Sequence, residues 1–253
     1  PAREVNSMAN SHGVPAWRGV GAIYASKEVA RAARRTLRRL LGPVTDRLIF
    51  INRRKVDTVQ AVARLLPGRL ATRVKGMADT LSGALEIMHG SPNDVALALA
   101  YWRSGNLPPP GQPKNPARDG CGLIWFAPLV PIRGDDVRRY INMIESVCPQ
   151  YGVNPLITLT TVNDRCFDST VPLLFDRSDA DATAKANDCY RALVSAGQQE
   201  GFLPYRLNND AMGILNTGDS AFSRLASQLK ATVDPNFILA PGRYVPRIKR
   251  SEV

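Results

Sequence analysis

Five prolines and two glycines fall between Asn106 and Gly120, in the segment NLPPPGQPKNPARDG. Proline has no amide hydrogen and a fixed φ, so neither a helix interior nor a central strand can run through such a stretch. Residues 106–120 are therefore expected to form an extended, surface-crossing loop. It divides the chain into a first half, 1–105, and a second half, 121–232, followed by a C-terminal tail, 233–253.

The two halves carry similar patterns. In the first, the apolar run Gly19–Ala25 (GVGAIYA) reads as a strand, and Ser26 is placed to cap a helix with Glu28 in its first turn. Val29, Ala30, Ala33, Leu37, Leu40 and Leu41 recur at helical spacing, arginines take the other faces, and Gly42-Pro43 ends the helix. Arg47–Asn52 reads as a second strand. Helical patterns over about 56–66 and 71–89, followed by the apolar-aromatic Val95–Trp102, form an inserted helical segment.

In the second half, Gly122–Pro131 reads as a strand, Asp135–Tyr151 as a helix closed by Gly152, and Leu156–Val162 as a strand. A further strand, Ser169–Phe175, and a helix over about 179–201, capped by Ser178 or Asp179, come next. The run LPYRL and a last helix over about 220–232 complete it. Helices do not alternate one per strand, so the expected class is α+β: an open, largely antiparallel sheet covered by helices, built from two β-α-β-like halves. Gly19, Gly21 and Gly42 miss the spacings of dinucleotide and nucleotide loops, so no phosphate cradle is expected in this chain.

Composition narrows the function classes. The 253 residues are 44% hydrophobic with a mean hydropathy of −0.17, enough for one large or two small domains. No run approaches the roughly 20 apolar residues of a membrane span, so a soluble protein without membrane contact, cytoplasmic or periplasmic, is expected. The opening Pro-Ala-Arg-Glu-Val has neither an initiator methionine nor an apolar signal region, which suggests a chain that begins mid-protein. Cys121, Cys148, Cys166 and Cys189 lack paired zinc spacing, so free thiols and no metal are expected.

Residues 1–75 hold 16 of the 33 basic and 4 of the 22 acidic side chains. This concentration raises nucleic-acid binding as an alternative. However, aromatic residues are not interleaved with the arginines and no helix-turn-helix, zinc or RNA-binding sheet motif is present, so no nucleic-acid partner is expected.

The segment DPNFILAPGRY, Asp234–Tyr244, follows a helix ending in LASQLKATV. It resembles the C-terminal signature of FAD-linked oxidases of the vanillyl-alcohol oxidase and p-cresol methylhydroxylase family. GCGLIWFAPLVP, Gly120–Pro131, is similar to the strand that opens the second half of the family's cap domain. The order of elements from there to Tyr205-Arg206 is similar too, with Arg165 in the strand pair.

The resemblance implies the C-terminal cap over a flavin ring, with the FAD-binding N-terminal domain of the same protein as partner and a small aromatic substrate. It implies oxidation of para-substituted phenols by hydride transfer to flavin N5 through a quinone methide, with oxygen or a cytochrome c subunit as electron acceptor. Tyr205 would bind the phenolate and Arg206 would be its electrostatic partner. Arg165, Asn236, Pro241, Gly242 and Arg243 would lie near the cofactor.

The chemistry suits these residue types: a guanidinium and a tyrosine hydroxyl favour the ionised phenol, which gives up hydride more readily. The plain alternative is a strand tyrosine beside a surface arginine, with the Asp-Pro-Asn and Pro-Gly pairs as ordinary turns.

Two departures stand out. Residues 116–126 hold no histidine or tyrosine to anchor the flavin, so FAD is expected to bind without a covalent bond from this chain. After Arg165, Cys166-Phe167-Asp168-Ser169 replaces the family's histidine pair. Asp168 is the candidate acid/base group in its place, or else a turn or capping residue. A non-catalytic cap-fold subunit is the alternative these departures raise. By itself the chain is not expected to be catalytic.

Overall fold

The computed structural model describes residues 15–63, 67–209, 211–215 and 220–243. The end of the expected 56–66 helix and Tyr244 lie outside them. The chain divides between Asp119 and Gly120 into two compact units.

The first unit is helical. Ser26 caps α1 (Lys27–Leu41), its hydroxyl accepting from the Val29 amide at 3.4 Å. The helix carries Lys27 and five arginines against the single acid Glu28 and buries none of its residues. α2 (Arg53–Ala63) packs on α3 (Gly68–Met88) through the buried Val56, Ala63 and Ala78. Arg53 ties them by reaching Asp57 at 3.2 Å and Glu86 at 3.4 Å.

Gly19–Ala25 and Arg47–Asn52 do not form the expected strands. A strand exists only where a neighbour takes its backbone hydrogen bonds, and neither run has one among the described residues. Val20, Tyr24 and Ile49 are left exposed. Val95–Trp102, expected as part of the helical insertion, forms a 3-10 turn, Val95–Leu99, leading into a one-turn helix, Tyr101–Ser104.

The proline-rich segment is pinned rather than loose. Asp119 accepts from the Tyr101 hydroxyl at 2.6 Å, the Arg118 Nε at 2.6 Å and the Asn115 amide at 3.1 Å.

The second unit holds the sheet. β1 (Cys121–Phe126) and β2 (Leu129–Pro131) both pair antiparallel with β4 (Cys166–Asp176). Their register is continuous: Phe126 faces Val171, and three residues further along each chain Leu129 faces Asp168. They are one strand interrupted at Ala127-Pro128, where proline cannot donate its rung of the ladder.

β3 (Thr158–Thr161) pairs antiparallel with the other side of β4, since Thr160 and Leu129 both face Asp168. On the outer side of β1–β2, the Leu129 amide donates to the Leu203 carbonyl and the Tyr205 amide to the Ala127 carbonyl, each at 3.1 Å. The sheet order is therefore residues 203–205, β1–β2, β4, β3.

Two helices cover one face. α4 (Gly134–Val147) continues as a 3-10 turn to Tyr151 and closes at Gly152, whose φ is 71°. α5 (Ala180–Glu200) is capped by Asp179, not Ser178: its Oδ1 accepts from Asp181 and Ala182 at 2.9 and 3.0 Å, whereas Ser178 is engaged with Asp176 at 2.7 Å.

Phe126, Val130, Val171 and Leu173 from the sheet meet Tyr140 and Ile144 of α4 and Cys189, Leu193 and Val194 of α5. Each large apolar side chain contributes about 1.5–3 kcal/mol of transfer free energy. Tyr140 adds an edge contact to Phe202, with ring centroids 5.3 Å apart, and a 2.7 Å hydrogen bond to the buried Ser169 hydroxyl. Three of the four cysteines, 121, 148 and 189, are buried. α6 (Ala221–Val233), capped by Ser220, leads into the terminal motif.

Among the described residues, no helix is long and apolar enough to cross a membrane.

Candidate active site on the open face of the sheet

Side chains alternate across a strand, so residues opposite one another share a face. The core takes Phe126, Val130, Ser169, Val171 and Leu173. The opposite face takes Trp125, Leu129, Asp168 and, from the outer segment, Leu203 and Tyr205. Trp125, Leu129 and Tyr205 are 39%, 40% and 42% exposed, so among the described residues of this unit nothing covers them fully. Phe202 and Pro204, the alternate residues of the outer segment, are buried and anchor it.

On this face the register brings together two residues 37 apart in sequence. The Tyr205 hydroxyl donates to Asp168 Oδ2 at 3.2 Å. The Arg206 guanidinium lies 5.3 Å from the centre of the Tyr205 ring. Partial burial and then the Asp168 charge push the Tyr205 phenol above its ordinary range, while Arg206 pulls it back. The other Asp168 oxygen, Oδ1, is sealed from solvent and accepts no hydrogen bond among the described residues. A carboxylate with one hydroxyl donor and one vacant lone-pair edge is equipped to take up a proton. A tyrosine between it and an apolar, aromatic-lined face can carry that proton inward.

The other expected site residues lie elsewhere. Arg165 is exposed at the tip of the β3–β4 hairpin, where its amide is held by Asn163 Oδ1 at 2.7 Å and its carbonyl accepts from Ile132. No hydrogen bond or ion pair joins it to Tyr205 or Asp168 among the described residues.

Asn236, Pro241, Gly242 and Arg243 sit on two successive turns. In one the Phe237 amide donates to the Asp234 carbonyl, in the other the Arg243 amide to the Ala240 carbonyl. Pro241 and Gly242, with φ 74°, suit the central positions of a type II turn. Asp234 is buried beneath this loop. Its Oδ1 accepts from the Ile238 amide at 2.9 Å, and its Oδ2 accepts from the Leu239 amide at 3.0 Å and Lys230 Nζ at 2.7 Å. Lys230, with the two amides, holds this carboxyl below its ordinary range.

Sequence reasoning passed over Trp125 and Leu129 as lining residues and over the Lys230–Asp234 pair. The first two were marked by the period-2 alternation of Leu123, Trp125, Ala127 and Leu129. The pair was marked by its i,i+4 spacing across a helix end.

No protein-family model matches the chain. The fold is that of flavoproteins of the p-cresol methylhydroxylase type: a crystal structure of p-cresol methylhydroxylase with substrate bound superimposes with a TM-score of 0.72 at 22% identity, over 97% of this chain and 41% of that one. Among curated proteins, the chain is 33% identical over 248 residues to the 1'-carboxy-chondrochloren decarboxylase of Chondromyces crocatus, covering 96% of this chain and 44% of the relative. It is 25% identical over 245 residues to the 4-cresol dehydrogenase (hydroxylating) flavoprotein subunit of Pseudomonas putida, covering 96% and 40%. The chain is thus similar to a decarboxylase and to the flavoprotein subunit of a dehydrogenase, and spans less than half the length of these curated relatives.

Proposed function

We propose that this chain is the C-terminal, substrate-covering part of an FAD-dependent oxidoreductase acting on para-substituted phenols or related aromatic compounds, with Tyr205, Arg206 and Asp168 as its catalytic residues. The observation that carries the reading is the Tyr205–Asp168 hydrogen bond on the uncovered, aromatic-bearing face of the sheet.

The residues also fit the cofactor. The exposed amide of Asn236 and guanidinium of Arg243 form a donor set suited to the acceptor-rich edge of a flavin ring, whereas the chain has no glycine loop for the phosphates. Arg165 is the remaining candidate at the cofactor, and the N-terminal FAD-binding domain of the same protein would hold the rest. A bound FAD would supply the hydride acceptor, at its N5.

The chain's own residues prepare the substrate. The phenol hydroxyl donates to Tyr205 Oη. Its O–H bond breaks as a new one forms on Tyr205, and the original Tyr205 proton passes to Asp168. Tyr205 then donates the substrate's former proton as a hydrogen bond to the phenolate, and Arg206 offsets the negative charge. Trp125, Leu129 and Leu203 keep water from the ring, which strengthens each of these interactions. The 33%-identical relative named as a decarboxylase favours a second substrate class on the same face, a carboxylated aromatic, with release of carbon dioxide as its signature.

The test is anaerobic mixing of the intact flavoprotein with para-alkylphenols and their carboxylated counterparts, following loss of flavin absorbance. Asp168→Asn is expected to slow bleaching by about 10²-fold, the usual size of a general-base contribution, with the deficit shrinking at alkaline pH as the phenol ionises unaided. A purified protein without flavin overturns the enzyme reading. An Asp168→Asn rate equal to the native rate at neutral pH overturns the relay.

A further inference from the structure

The terminal motif carries more hydrogen bonds than two ordinary turns require. Phe237 and Ala240 both adopt left-handed backbone conformations, with φ of 52° and 42°. Left-handed geometry is unfavourable for a non-glycine residue and persists only where the surroundings impose it. Between Phe237 and Ala240, the segment is bonded to one ion pair. Asp234 clamps the Ile238 and Leu239 amides, while Lys230 bonds both the Asp234 carboxylate at 2.7 Å and the Leu239 carbonyl at 2.6 Å. Lys230 also lies 5.7 Å from the Phe237 ring centre.

The two charged side chains are 15% and 7% exposed, whereas Asn236, Ile238, Leu239 and Arg243 all face outward. Buried charges that fix a strained backbone and leave its neighbours outside act as a scaffold for what those neighbours touch.

We infer that Lys230 and Asp234 are positioning residues, which hold the 234–243 loop in one conformation so that Arg243 and Asn236 meet the cofactor edge. This rests on the reading that the loop faces the flavin. Without the clasp, the two left-handed residues relax and Arg243 samples many positions, weakening its stabilisation of the negative charge that develops on the reduced ring.

The test uses the intact flavoprotein and reads the flavin reduction potential, with Arg243→Met as the reference. Arg243→Met is expected to disfavour the reduced flavin about tenfold, or ~30 mV for two electrons. Asp234→Ala and Lys230→Met are expected to reproduce most of that shift with flavin content unchanged. Asp234→Asn, which keeps one acceptor oxygen, falls between. Amide exchange at Ile238 and Leu239 accelerates in Asp234→Ala.

If Arg243→Met lowers the potential but neither clasp variant does, the positioning role is overturned and the flavin reading stands. If Arg243→Met leaves the potential native, both the placement of the loop and the positioning role fall. Should Asp234→Ala fail to fold, Asp234→Asn carries the test, because its one acceptor oxygen still holds an amide while the ion pair with Lys230 is gone.

Discussion

The Tyr140–Ser169 hydrogen bond makes a quantitative demand on the fold. Both residues are fully buried, and Ser169 adjoins Asp168 on β4 with its side chain on the opposite face. The bond therefore fixes the register that turns Asp168 outward. Tyr140→Phe keeps the ring and its 5.3 Å edge contact with Phe202, but strands the Ser169 hydroxyl. Ser169→Ala strands the Tyr140 hydroxyl instead.

Leaving one buried partner unsatisfied costs about 1–3 kcal/mol, whereas removing both can be nearly neutral. Each single variant should lose about 2 kcal/mol, and the double variant should lose no more than either one. The coupling is then on the order of 2 kcal/mol, well above the few tenths expected of independent sites. Urea unfolding of all four forms, followed by circular dichroism, measures it. Additive losses would refute the reasoning, because they mean that the two hydroxyls do not satisfy one another. Tyr140 should also stay protonated at every pH at which the chain is folded, since burial drives its phenol far above the ordinary range.

Two further outcomes follow from close packing and from charge. A Cβ on Gly197 would stand 2.6 Å from the Phe202 carbonyl oxygen and 3.3 Å from Phe126 Cζ, so Gly197→Ala should destabilise the second unit by about 1–3 kcal/mol, seen as a lower midpoint in thermal unfolding. Arg118, with help from Tyr101, lowers the Asp119 carboxyl to about 2. Because the folded value lies below the unfolded one, near 3.9, its stabilisation is complete above about pH 4 and is lost as pH falls toward 2. Carboxyl-carbon NMR titration should place the Asp119 midpoint near that lower value, and Asp119→Asn should flatten the acid limb of the stability profile.

How much of this was legible in the sequence depended on how local each cause was. Ser26, Asp179 and Ser220 cap helices, and Gly152 and Gly201 end them, through contacts within a few residues. The α+β class and the antiparallel sheet followed from strand runs that do find partners. Gly19–Ala25 and Arg47–Asn52 looked equally strand-like, but a strand is completed by its neighbour, and apolar composition does not supply one.

The candidate site divides in the same way. Tyr205-Arg206 and Asp168 could be named singly from their motifs. Their meeting required the register across β1–β2 and β4 and the docking of residues 203–205, neither of which is encoded nearby. The terminal motif was visible as a string, while the reason for its aspartate lay in a lysine one helical turn upstream.

Pro204 has a further consequence. Leu203 and Tyr205 turn their bonding groups inward to the sheet, so the outward-facing position between them belongs to Pro204, which has no amide hydrogen to offer. Pro204 therefore offers no donor with which a further strand could continue the ladder beside Tyr205. The rung of the sheet border next to Tyr205 is thereby left without an amide donor for backbone pairing.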